Sequence, residues 1–191
     1  MSAFLGPIHF WLYNKIGKQE DLTKAIASHA ERNGWIEDQA KFTKDLPALE
    51  DVIDVSNIHG WLQGQIHDAE TRYADLIGTV WNAERSEEIH GTAYNFGKTH
   101  ALGATISPTE AYKAFEDFFV NGMPCDRVNA VVSESADELS WTMMRDIHAQ
   151  YWKDGSEIYY LIRNTVMNGM LDGTGLALSS GDNVTYTIKR K

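Results

Sequence analysis

Residues 8–20 read Ile-His-Phe-Trp-Leu-Tyr-Asn-Lys-Ile-Gly-Lys-Gln-Glu, and residues 58–70 read Ile-His-Gly-Trp-Leu-Gln-Gly-Gln-Ile-His-Asp-Ala-Glu. Aligned fifty positions apart, Ile8/Ile58, His9/His59, Trp11/Trp61, Leu12/Leu62, Ile16/Ile66 and Glu20/Glu70 are identical. Both copies open a segment with apolar residues at helical spacing. In the first, Ile8, Leu12, Ile16, Leu22 and Ile26 follow Pro7, which suits a first helical turn, and Asn33-Gly34 supplies the stop. In the second, Ser56 or Asn57 can cap a stripe of Ile58, Leu62, Ile66, Ala69, Tyr73, Leu76 and Val80.

Working outward, the segment 35–45 predicts a shorter helix ended by Leu46-Pro47. Arg85-Ser86 opens another helix, with Glu87 and Glu88 in the first turn where the dipole favours acids. It carries small residues at Ala93, Gly97 and Ala101, a spacing that lets a neighbouring backbone come close. Ser107-Pro108-Thr109-Glu110 reads as a capping box for a helix holding Phe115, Phe118 and Phe119, ended by Asn121-Gly122. Beyond it the period changes. Val128, Ala130 and Val132 alternate as in a strand. Ser135-Ala136-Asp137-Glu138 is a second capping-box pattern and predicts a helix through Leu139, Met143, Ile147 and Tyr151. Ser156 opens one more helix, to about Asp172-Gly173. Residues 176–179 and 184–188 flank Gly181-Asp182-Asn183 as a hairpin. The expected fold is α+β, mostly α: a helical bundle over residues 1–122 packed with a small three-stranded antiparallel sheet. The second part, 123–191, is expected to run strand, helix, helix, strand, strand.

The chain has 191 residues, 43% hydrophobic and 11% aromatic, enough for a substantial core. The formal charge is −10, from 17 basic and 27 acidic residues, which opposes nonspecific nucleic-acid binding. No apolar run reaches the ~18 residues of a membrane span, and no basic stretch precedes an apolar one as in a secretory signal. The expected location is the cytoplasm. Cys125 is the single cysteine, so an internal disulfide or a Cys-x-x-Cys site is excluded. No Gly-x-Ser-x-Gly, P-loop or dinucleotide fingerprint is present.

Helix geometry gives the echo a chemical reading. Positions 9 and 20 lie about 20° apart on one face and roughly 16 Å from each other, as do 59 and 70. If the intervening chain runs back down the bundle, the two helices are parallel, with His9 level with His59 and Glu20 with Glu70. The helix after residue 86 then brings His100 level with Glu70, and His67 is one turn from Glu70. Inward histidines and carboxylates are how bundles hold iron, manganese or zinc. His9, His59, Glu20, Glu70, His67 and His100 are therefore the candidate metal ligands. The ferritin-like Glu-x-x-His pattern occurs only at Glu87 and His90, near a turn; His67-x-x-Glu70 has the reverse order. Paired histidines could also offer axial ligands to a haem. Equally, flank histidines serve as hydrogen-bonded structural residues, Trp11 and Trp61 as packing anchors, and Glu20 and Glu70 as solvated surface residues. Trp141, His148 and Trp152 fall near one side of the helix expected through Leu139 and Tyr151, which is expected to stop near Asp154-Gly155, and are the candidate lining of an apolar pocket.

The helix holding Asn168-Gly169-Met170-Leu171-Asp172-Gly173, the hairpin with Gly181-Asp182 and the final strand ending Ile188-Lys189-Arg190-Lys191 resemble the 4-vinyl reductase-like domain. That resemblance covers about a third of the chain and implies a small α+β module that binds small apolar molecules. Such domains commonly carry a cysteine in the last strand. Here Val184, Thr185 and Tyr186 stand there, so a cysteine-dependent metal role does not carry over. The segment Gly6 to Ile16 is similar to the start of uncharacterised bacterial proteins, which implies no activity.

The expected function is a binding or sensing protein with a His/Glu pocket for a metal ion, with or without a small ligand. Its rivals are a metal-dependent enzyme at the same site, a haem or apolar-molecule binder, and a metal-free interaction protein. In the last, the 93/97/101 face would form a homodimer.

Overall fold

A computed structural model describes residues 4–153 and 155–191. Helix α1 spans Pro7–Arg32, and its reversal at Gly34, with φ +69°, is closed by the Trp35 N–H donating to the Ala30 carbonyl. A short helix α2 (Leu49–Val52) precedes α3 (Ile58–Val80), whose cap is Asn57: its side-chain oxygen accepts from the Gly60 N–H. Helices α4 (Ser86–Lys98) and α5 (Pro108–Phe118) follow, the latter with the expected reciprocal Ser107–Glu110 box. Strands β1 (Asn129–Glu134) and β2 (Glu138–Met143), helix α6 (Glu157–Met170), and strands β3 (Leu176–Ser180) and β4 (Thr185–Arg190) complete the chain. The class is α+β, mostly α. No helix among the described residues is long and apolar enough to cross a membrane.

Three expectations are corrected. The segment 35–45 forms only a 3₁₀ turn at Gln39–Lys41. Asp38 there accepts from the Ala40 N–H, a local bond that competes with helix. The chain is instead laid down along α1: Gln39 bonds Glu31, Lys24 bonds Asp45, and the Tyr13 hydroxyl donates to the Pro47 carbonyl. That descent returns the chain to the start of α3. Secondly, Ser135-Ala136-Asp137-Glu138 opens no helix. The Ser135 hydroxyl accepts from the Glu138 N–H across a hairpin turn, and Leu139 and Trp141 enter a strand. Serine with glutamate three residues on satisfies a tight turn as well as a helix start; cross-strand partners decide which. Leu139 pairs with Ile188, and Trp141 pairs with Tyr186, their rings stacked at 5.1 Å. The sheet therefore has four strands, not three, antiparallel in the order β1-β2-β4-β3, and the second part runs strand, strand, helix, strand, strand.

The larger core runs across residue 122 without a break. Ile26, Ile77, Ile89 and Phe115 share one cluster with Trp141, Ile162 and Ile188. A smaller cluster at the other end holds Leu12 and Ile16 with Ile58, Leu62 and Ile66, five of the six echoed aliphatic residues; the sixth, Ile8, is exposed. Against it lies Lys15, 1% exposed, with its ammonium 4.1 Å from the centre of the Trp11 ring. Burial lowers the Lys15 pKa to about 8, although Glu116 and Asp117 oppose the shift.

That burial has a pH signature. The unfolded chain holds the Lys15 proton up to about pH 10.5 and the folded chain releases it from about 8. The cost is therefore complete below pH 8 and is relieved as pH rises from 8 to 10.5, a contribution of about 3 kcal/mol. Tyr73, Tyr159 and Tyr160, held neutral chiefly by burial, act in the opposite sense above pH 10. Urea denaturation between pH 7 and 10 should show stability rising in the wild type and flat in Lys15→Met. A Lys15→Met profile that keeps the rise would assign it to another group.

Candidate ligand-binding site

The echoed helices lie parallel and in register. The His9 and His59 rings are 5.8 Å apart, Tyr13 meets Trp61 at 5.8 Å, and Glu20 reaches Arg72 near the other end of the echo. His9 is buried and His59 exposed. His9 Nδ1 accepts from the Gly6 N–H at 2.9 Å, so the imidazole helps to start α1, while its Nε2 is buried without a partner. Both rings border a cavity of about 230 Å³ together with Leu62, Met123 and Cys125. That is below the ~300 Å³ floor of typical ligand pockets and too small for a haem.

The expected convergence of Glu20, Glu70, His67 and His100 is not met, because each is engaged elsewhere. Glu20 is bonded by Arg72, which also holds Asp68. Burial outweighs the guanidinium and raises the Glu20 pKa, whereas the hydrogen bond from Arg72 takes the more exposed Asp68 down to about 2. His100 Nε2 lies 3.3 Å from Lys18 Nζ, its ring against Phe96 and Phe118. His67 is exposed, against the Tyr151 ring. Among the described residues no group of three or more His, Cys, Asp and Glu side chains is placed to hold a metal ion. The metal reading keeps the His9–His59 pair and loses its four-residue centre.

Glu70 turns instead to a residue from the other candidate set. His148 Nδ1 lies 3.1 Å from Glu70 Oε2, and each side chain is 1% exposed. The loop between β2 and α6 positions the imidazole. Asp146 is the hub of that loop: one carboxylate oxygen accepts from the His148 and Ala149 N–H groups and the Tyr160 hydroxyl, the other from the Ser156 hydroxyl. Burial pushes the Asp146 pKa up, but these hydrogen bonds prevail and hold it below the usual carboxylate range. The imidazole stacks on Tyr159 at 3.7 Å, and His148 Nε2 and Glu70 Oε1 are left buried without partners.

Two cavities flank this loop, and Tyr151 borders both. One, of about 330 Å³, is polar and bordered by Glu70, His148, Asp126 and Arg145. The other, of about 490 Å³, is bordered by Phe42, Ala74, Ile77, Trp81, Trp152 and Ile158, and by the polar Asp75, Thr79 and Lys153. Trp152 meets Tyr73 and Tyr159 edge-on, and its buried indole N–H has no partner among the described residues. Of the expected apolar lining, His148 and Trp152 thus meet through Tyr159, while Trp141 does not join them. Residues 139–143 are a strand, and Trp141 faces Tyr112 and Tyr186 at the sheet.

Sequence reasoning missed Tyr159 and Arg163. A signal for the second exists: Tyr159, Arg163, Val166 and Met170 follow helical spacing, so a charge stands on an otherwise apolar stripe. The Glu70–His148 pairing has no local signal, since 78 positions separate the partners. Comparison with protein families, with curated proteins and with solved structures finds no match for this chain.

Proposed function

We propose that this protein binds a small, flat, largely apolar molecule in the cavity walled by Phe42, Trp81 and Trp152. The observation that carries the reading is the cavity itself. Its volume of about 490 Å³ lies within the ~300–1,000 Å³ of small-molecule sites, and Phe42, Trp81, Trp152, Ile77 and Ile158 give it aromatic and aliphatic walls beside the polar Asp75, Thr79 and Lys153. One unpartnered donor, the Trp152 indole N–H, suits a ligand with a single acceptor such as a carbonyl or hydroxyl oxygen. The resemblance of the C-terminal third to vinyl reductase-like domains implies the same ligand class.

The test is a calorimetric titration with 2-naphthol, repeated on Ala74→Leu, which fills the cavity from α3. Saturable binding near one equivalent, weakened tenfold or more by Ala74→Leu, is the expected result. Equal affinity in both proteins, or no saturable binding of 2-naphthol or of any apolar compound extracted from the purified protein, would remove this reading.

The polar cavity favours a second reading, proton transfer. A carboxylate holding an imidazole by Nδ1, with Nε2 unengaged, is the arrangement of a general base. Hydrolysis of p-nitrophenyl acetate above the buffer rate, lost in His148→Gln with the circular dichroism unchanged, would support it. Equal rates in the two proteins would count against it.

A further inference from the structure

We propose that a compact monovalent anion binds beside Arg163 in the core, between α1, α3, the end of α5 and α6. Arg163 is 3% exposed, yet it forms no ion pair among the described residues, and its Nε and one terminal nitrogen, Nη2, have no hydrogen-bond partner. The guanidinium is held between the rings of Tyr160 at 4.6 Å and Tyr186 at 5.1 Å. Those faces attract a cation but accept no directed N–H bond in the plane of the guanidinium. A buried charge without a counter-charge is costly, and natural cores pair it.

The space beside it is suited to that partner. Arg163, Gln19 and Lys18 line a cavity with Tyr73, Phe118 and Tyr159, and no carboxylate contributes to its wall. Gln19 is 8% exposed and its amide nitrogen is also without a partner. Lys18 adds a second positive charge, with its ammonium 3.3 Å from the His100 imidazole. Donors from two helices therefore border one space whose described lining holds no carboxylate to balance them.

Size selects the ligand. The cavity has a volume of about 20 Å³, where one water needs about 10–15 Å³. A halide or the carboxylate head of a small acid fits; tetrahedral sulfate or phosphate does not. A planar carboxylate also matches the guanidinium edge in a two-point bond. The site is distinct from the aromatic cavity, although Tyr73 and Tyr159 touch Trp152 as well.

The experiment is thermal unfolding of the full chain in sodium gluconate, replaced stepwise by bromide, formate, acetate or sulfate at constant ionic strength. Bromide or formate should raise the midpoint saturably, by about 4 °C or more, and sulfate should not. A response to bromide alone identifies a halide site; one that extends to formate and acetate identifies a carboxylate head. Gln19→Leu should weaken the half-saturating concentration several-fold, and Arg163→Met should abolish the response. If Arg163→Met does not fold, bromide located by anomalous scattering within contact of the Arg163 guanidinium gives the same answer. A flat response to all salts, an equal response to sulfate, a response retained in Arg163→Met, or crystals without bromide at that position would overturn the proposal.

Discussion

Gly169→Ala is expected to destabilise the fold by about 3 kcal/mol, at the upper end of overpacking costs. A β-carbon at Gly169 would stand 2.2 Å from the Tyr94 carbonyl oxygen and 3.0 Å from the Gly97 α-carbon. One at Gly97 would stand 2.2 Å from the Val166 carbonyl oxygen. The obstacle in each case is backbone of the facing helix, which no rotamer change can move. Helices α4 and α6 would have to part, and Ile89, Ala93, Ile162 and Val166 between them are all 0% exposed. The control is Gly64→Ala, at an exposed position of α3 with nothing within 4 Å of the new methyl. It should stabilise by about 0.5–1 kcal/mol through helix propensity alone. Urea denaturation of the three proteins checks the pair of opposite signs. The double substitution Gly97→Ala with Gly169→Ala should cost less than the sum, because one separation of the helices relieves both clashes. A Gly169→Ala protein as stable as wild type would mean that α4 and α6 do not cross at these residues. Of the small-residue face, Ala93 and Gly97 are buried beneath α6, while Ala101 lies beyond the end of α4 and is exposed.

The second large effect is expected at the buried pair. His148→Phe keeps a ring to stack on Tyr159 but leaves both Glu70 oxygens without a partner, and should cost about 3–5 kcal/mol. Glu70→Leu leaves the His148 Nδ1 bereft and should cost a similar amount. Combining the two removes both polar groups at once, and the double variant should recover most of that loss. A double-mutant cycle in urea measures the coupling directly. Strict additivity would show that the two side chains are not in contact in solution. Loss of the pair also frees the loop between β2 and α6, so amide exchange in residues 145–153 should accelerate even where global stability is restored.

The repeat shows how far a linear pattern can carry. Its apolar positions, its register and the placing of both glutamates at one level follow from helical spacing, and the parallel arrangement follows from a connecting chain that has to return to the same end. The partners of those glutamates do not. Arg72 is two positions from Glu70 yet serves Glu20, because a helix turned 200° over two residues aims its side chain across the interface. His148 reaches Glu70 from a loop whose form depends on residues 139–143 being strand. The same apolar spacing of Leu139, Met143 and Ile147 fits a helix if period is all that is weighed.

Helix α1, helices α3 to α6 and the final hairpin are therefore written in local features: apolar period, caps, and the glycines and prolines at their ends. Each of those acts over a few residues and needs no distant partner. The pairing of β2 with β4, the contact of Gly97 with Gly169, the meeting of Glu70 with His148 and the isolation of Arg163 were decided only by tertiary structure. These are contacts between segments far apart in the chain, and their energy depends on which groups share a desolvated space.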